Sequence, residues 1–458
     1  MRLLIACALM LTVAGCLQSP NAHVEPIPVG DAHNHADPEQ HRIASNAHIV
    51  DVDNLTRFGA SEEVVVGAHV VDLHENLLAV GVHGGENPEG QQGFHLFDVS
   101  NPRVLQHVSF YDAGQEINGD RTLAFSEDGN IVFLGYESGA RPGVAAVDIS
   151  NPAEPVEVAF WSDDADYGPH TLGTGFFGGK QYVFLLSLGV TILSFDGEFQ
   201  LEGKYVTADE LALANVLSYV NPTNPADPAP GGRTYAFRSL YGHDMTFFND
   251  PVSGKPLLLV AYSYEGMKLL DITNPAAPIL QGRFLPPNDT EHPHYTHSVE
   301  AVRIEGRLIV VVGSETFEPE NQGIASPIWI LDATDAMAGQ PLQNDMELLS
   351  TWRNPSNAPA GNLGLSVHFF RVSENVLFVS HYHGGVWAID LNTDESRRNA
   401  TNLAYIMPVP ENPIRPPAEC CIGFDLGGVP MVFDIEARGK MAYVADLTQG
   451  VVAIEFTW

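Results

Sequence analysis

Positive charge is what this sequence has least of. Lys and Arg together number 22 against 57 Asp and Glu, a formal charge of −35. A nucleic-acid partner needs a basic surface that neutralises phosphates and releases counterions, so that class is excluded. An acidic surface keeps the chain soluble, attracts cations and suits a saline exterior. Cysteine is scarce as well, with 4 in 458 residues. Cys7 and Cys16 lie in an N-terminal leader, and Cys420 and Cys421 are adjacent, so the pattern is not a disulfide framework. Beyond the leader no apolar run is long enough to span a bilayer. Also missing are a nucleophile elbow, a Walker loop and a dinucleotide fingerprint.

The leader reads MRLLIACALMLTVAGC. Arg2 precedes an apolar run from Leu3 to Ala14, too short to cross a membrane and of the size of a signal-peptide core. Val13-Ala14-Gly15-Cys16 matches a lipobox, which predicts a signal peptide over residues 1–15 and lipidation of Cys16. The alternative is an ordinary signal peptide cut near the same place. Residues 16–46 hold Pro, Asn, Asp and His without apolar period and are expected to be a tether. Within it Asp31, His33, His35 and His41 can chelate a cation, as short His-rich tracts do. The expected location is extracytoplasmic, with a monomer held at the membrane surface by lipid, or secreted if the lipobox is not used.

The rest of the chain, 47–458, repeats itself. GFHLFDVSNPRVLQHVSFYD from Gly93, GVAAVDISNPAEPVEVAFWSD from Gly143 and GMKLLDITNPAAPILQGRF from Gly266 share one plan. Each is an alternating apolar run, an Asp-x-Ser/Thr-Asn-Pro turn and a second alternating run, the mark of two strands. The Asp and Ser/Thr side chains bond the turn backbone and Pro presets its φ. Weaker copies follow at Asp332–Asp335 and Asp390–Thr393. Two further strands precede each turn, as in HSVEAVRIEGRLIVVVGSE from His297. Four strands in roughly 50 residues are one propeller blade. The units start near Gly67, Gly119, Gly168, Gly242, His294, Leu363 and Phe424, which predicts an all-β, seven-bladed propeller. An insertion at about 205–240 follows the third unit, with ADELALANVLSYV in it reading as helical. The seventh unit has three strands, and Ala47–Phe58 is expected to supply the fourth and close the ring.

These turns and strands resemble the LVIVD-repeat family, whose repeat runs as an apolar strand, a Gly-led alternating strand and Asp-Ile-Ser-x-Pro. The resemblance implies a β-propeller, often secreted or membrane-anchored. It implies no reaction, since fold and function are separable.

In a propeller the loop into the innermost strand and the loop out of the second strand share a face. His170, His243 and His297 stand at the start of innermost strands, with His368 and His69 nearby in theirs. His83, His381 and His383 stand where second strands end, His292 and His294 precede an innermost strand, and Cys420 and Cys421 lead into the seventh blade. The repeat therefore predicts a histidine ring on one face of the channel. His170, His243, His297, His368, His294, His381 and His383 are the candidate metal ligands, with His69, His83, Cys420 and Cys421 behind them. Asp163, Asp164, Asp166, Asp244, Glu291 and Glu300 stand near as ligands or orienting partners. Converging imidazoles bind Cu, Zn or Fe. The cysteines admit a strained vicinal disulfide, a soft ligand or a reduced buried pair. His74, His95 and His107 read as structural.

Three functions follow: a tethered binding module with a histidine-lined metal site and a small-molecule or protein ligand, a metal-dependent oxidoreductase using copper or iron, and a scaffold with incidental histidines. Selenium-binding proteins and methanethiol oxidases are metal-dependent propellers with histidine-rich sites. None of their motifs maps residue by residue, so no role is carried over.

Overall fold

The computed structural model describes residues 44–53, 55, 67–82, 92–114, 122–137, 140–163, 168–187, 189–206, 242–263, 265–287, 296–315, 325–337, 346–355, 365–408 and 430–458. The sheets are seven, each of four antiparallel strands except one of five. The first strand of each blade contacts the first strand of the next: Ala68–His74, Leu123–Phe125, Thr171–Phe177, Asp244–Asn249, Thr296–Ile304, Phe370–Ser373 and Val432–Arg438. The last of these contacts the first, so the ring is complete and these strands line its centre. Strand Ala47–Asp53 pairs with Gly450–Phe456 and supplies the fourth strand of blade 7, as the sequence predicts. Ala44–Ser45 adds a short fifth strand to blade 6 by pairing with Asn402–Ile406.

The turns form through the bonds their residue types allow. Asp98, Asp148, Asp271 and Asp332 each accept the backbone N–H two residues on, at 2.7–2.9 Å, and the hydroxyls of Ser150, Thr273 and Thr334 donate to the same carboxylates. The Ser150 hydroxyl and N–H hold Asp148 below the usual carboxylate range. In blade 6 the Asp390 turn is followed by a helical turn, Asp394–Asn399, capped by Thr393. That helix was not foreseen; Thr393 and Ser396 form its capping box.

The core is divided among the interfaces between adjacent blades. In Arg307–Ser314, Leu308, Val310 and Val312 pack toward blade 4, and Ile309 and Val311 toward blade 6. Both faces of this second strand are buried, which is why it reads as a continuous β-branched run. Side chains also tie neighbouring innermost strands together. Asp434, Asp72 and Asp244 accept the N–H groups of Val71, Phe125 and Val299, each in the next blade round. Asp250 and Arg303 join blades 4 and 5 through two bonds of 2.7 and 2.9 Å. Burial opposes ionisation of Asp250, but the guanidinium and Ser253 outweigh it and hold the carboxyl well below its usual range. Among the described residues no helix is long and apolar enough to cross a membrane.

Candidate metal centre

Two local devices place the histidines of the channel mouth. The N–H groups of His170, His243 and His368 donate to carbonyls at the end of their own second strands, Leu186, Ala261 and Ser380, at 2.8, 2.8 and 3.0 Å. His297 and His69 occupy β-bulges, where the pairing skips one residue against Ser314–Gly313 and Val82–Gly81. Phe433 is the bulged residue of blade 7. A bulge re-aims one side chain out of the pleat. The rings then follow one another around the mouth. His170–His243, His243–His297, His297–His368, His368–Phe433 and Phe433–His69 have centroid separations of 4.6, 3.9, 4.5, 3.8 and 4.1 Å. Blade 2 opens its innermost strand with Thr122 and Leu123 and adds no imidazole.

Two carboxylates complete the arc. Glu137, after the second strand of blade 2, lies 3.0 Å from His170 Nδ1. Glu315, after the second strand of blade 5, lies with Oε2 3.2 Å from His297 Nε2 and Oε1 3.7 Å from His368 Nε2. The Tyr382 hydroxyl also donates to Glu315 Oε1. Tyr382 has a φ of 28°, a conformation uncommon for a bulky residue, and a bridge to Val432 accompanies it.

The backbone fixes the tautomers. His297 Nδ1 faces the His368 carbonyl at 3.2 Å and Ser298 Oγ at 2.5 Å, and Ser298 Oγ itself donates to that carbonyl. His368 Nδ1 faces the Phe433 carbonyl at 2.8 Å. A carbonyl only accepts, so both Nδ1 atoms carry protons. In each ring Nε2 is therefore the atom turned toward Glu315. A lone pair and a carboxylate oxygen 3.2 Å apart in a buried site repel unless a proton or a cation stands between them. One ligand atom each from His243, His297 and Glu315 lies within 4.8 Å of the others, and all three residues are buried. Imidazoles pinned through Nδ1–H to carbonyls with Nε2 converging are what a metal site requires.

The other predicted residues fall in different places. His381 ends the second strand of blade 6 as expected but packs against Trp352, with ring centroids 5.9 Å apart. His383 is buried in the same turn. Asp244 bonds Val299, Glu300 pairs with Arg371, and Asp163 pairs with Lys204. His95 and His107 contact each other within blade 1, and His74 packs on Phe125. Cys16, His33, His35, His41, His83, His292, His294, Asp164, Asp166, Glu291, Cys420, Cys421 and the insertion from 207 to 240 lie outside the described residues. Sequence reasoning missed Glu315 and Glu137. The signal was present, because both sit where second strands end, the position used above only to place histidines.

The sequence pattern of the LVIVD repeat matches residues 142–161 and 252–285. Two segments of the chain thus match the LVIVD repeat. Both matched segments include an Asp-x-Ser/Thr-Asn-Pro turn, in blades 2 and 4, and the second also spans strand Pro256–Ala261, whose last carbonyl accepts from the His243 N–H. No curated protein matches the chain. Several solved structures are similar to it. The computationally designed Ika8 protein is 12% identical over 86% of this chain and 98% of that one, with a TM-score of 0.42. Sqt1 of Saccharomyces cerevisiae is 11% identical over 86% and 96%, at 0.48. The WD40 β-propeller domain of Doa1 is 10% identical over 85% and 92%, at 0.46. The propeller is defined here by its own strand pairing, and these likenesses carry no information about its site.

Proposed function

We propose that this LVIVD-repeat propeller is a metal-binding module that holds one transition-metal ion at its channel mouth on His243, His297 and Glu315. The observation that supports this most is that one ligand atom each of the buried His243, His297 and Glu315 lies within 4.8 Å of the others, with His297 pinned through Nδ1 and its Nε2 3.2 Å from Glu315. Imidazole and carboxylate donors suit zinc, iron and copper, and the acidic chain favours a cation over an anion. Two atoms bound to one ion at 2.0–2.1 Å in a tetrahedron stand about 3.3 Å apart. The 3.2 Å between His297 Nε2 and Glu315 Oε2 matches that spacing.

The donor set favours a second reading. Two imidazoles and one carboxylate leave coordination positions for water or substrate, as in catalytic zinc and non-haem iron sites. Metal-dependent oxidation at this centre is that reading. An extracytoplasmic, lipid-anchored location through Cys16 accompanies either one, and mass spectrometry of the mature N-terminus tests it.

Elemental analysis after desalting tests the binding reading. Purified wild type should retain one metal ion per chain, and the doubly substituted His243→Ala, His297→Ala protein none. Equal, substoichiometric metal in both, with both folded by circular dichroism, leaves the scaffold reading instead.

A further inference from the structure

The arc is not uniformly accessible. The side chains of Glu137 and His170 are 18% and 12% exposed, whereas those of Glu315 and His297 are 1% and 0% exposed. His243 stands between them. Its Nε2 is 3.2 Å from His170 Nε2 on one side, and its ring lies tilted against that of His297 on the other. Lower in the channel a fixed cation, Arg371, bridges Glu300 and Glu436 of the two neighbouring innermost strands. Arg371 and its two carboxylates close that end with a paired network, while an ion approaching at Glu137 meets a partly exposed carboxylate.

We propose that Glu137, His170 and His243 form a transient loading site through which a divalent transition-metal ion reaches the buried centre. The inference rests on the metal-binding reading. His170 Nδ1–H donates to Glu137, which leaves the Nε2 lone pair of the neutral ring directed at His243. The Nε2 pair has the spacing of two ligands on one ion. An arriving ion displaces the proton shared in that contact, which leaves to water at the exposed end of the arc, and the ionised Glu137 offsets part of the charge of the ion. His243 belongs to both sets, so the ion can gain His297 and Glu315 before it releases His170. No bond to the ion is lost before another is made, which spares the ion passage through a dry site without ligands.

The test uses the metal-free full-length protein and Co2+, followed by its visible absorption in stopped flow, with equilibrium affinity from chelator competition. Glu137→Gln and His170→Asn are expected to slow loading at least tenfold, to slow release equally, and to leave affinity within threefold and stoichiometry at one. Glu137 is partly exposed and its change to Gln is conservative, so it keeps the test valid if His170→Asn folds poorly. Loading at the wild-type rate in both variants overturns the loading site but leaves the metal centre intact. A tenfold loss of affinity in His170→Asn makes His170 a resident ligand and also overturns it. A wild type that takes up no Co2+ overturns the metal reading itself.

Discussion

The two halves of the channel mouth are built on one plan and filled differently. Blades 3 to 6 place His170, His243, His297 and His368 there in unbroken succession, whereas blade 7 places Phe433, blade 1 places His69 beyond it, and blade 2 opens with Thr122 and Leu123. Phe433 occupies the same kind of bulge as His297 and stacks in the same arc. The fold therefore accepts an apolar ring at this position. Four successive imidazoles are more than the backbone needs, and burying them carries a polar cost that Phe433 avoids. The carboxylates differ in the same way. Asp446, ending the second strand of blade 7, takes its bonds from Met431 N–H and from Thr448 N–H and hydroxyl. Glu315, after the second strand of blade 5, faces two imidazoles. One carboxylate is satisfied by its own loop, and the other is directed at a site.

That contrast can be broken by substitution. His297→Ala should weaken metal binding by more than about 100-fold, while Phe433→Leu changes it less than about threefold, in chelator competition. If Phe433→Leu were as damaging, the histidine half would have no special standing. Tyr382→Phe removes the hydroxyl that positions Glu315 and should cost about 10–100-fold in affinity, the usual range for such supporting groups. Full Tyr382→Phe affinity would show that Glu315 needs no support.

The bound ion should also stabilise the fold. With metal at 100 times Kd the gain is about 2.7 kcal/mol, read as a higher urea midpoint that EDTA abolishes. The His297→Ala protein should show no such shift.

Acid titration sharpens the carboxylate comparison. Burial raises Asp446 from 3.8 to about 6, its hydrogen bonds only partly opposing this. The native state thus holds the proton more tightly than the unfolded chain. The stability this contributes is full below pH 4 and is lost as pH rises through 6, roughly 3 kcal/mol in all. Asp446→Asn should lack that slope relative to wild type in urea melts at pH 4 and pH 7. A parallel pH profile for the two proteins would contradict the assignment. The smallest effect belongs to the outer rim. Ser150→Ala removes one exposed turn hydroxyl and should cost about 1 kcal/mol or less.

The blades were legible because their signals are local. An Asp-x-Ser/Thr-Asn-Pro turn announces itself in five residues, and the strands beside it alternate or run apolar according to whether one face or two are buried. Ring closure was legible from a missing strand at one end and a spare one at the other. The histidine face was legible as far as repetition carries it, since blade register alone assigns His170, His243, His297 and His368 to one mouth. What could not be read is how each ring turns. The bulges at His69, His297 and Phe433 depend on pairing with another strand, and a one-residue skip reverses a side chain without altering the pattern. His381 shows the limit. Its position in the chain was right, yet Trp352 takes it away from the arc. Glu315 and Glu137 were hidden by abundance, since among 57 acidic residues a carboxylate carries little information until its neighbours are known.

X-ray absorption on the metal-loaded, full-length protein addresses the central claim most directly. A metal shell of nitrogen and oxygen at about 2.0–2.2 Å, with the outer-shell scattering of two imidazoles that disappears in His297→Ala, is the predicted result. A shell of water oxygens alone, unchanged by that substitution, would contradict it.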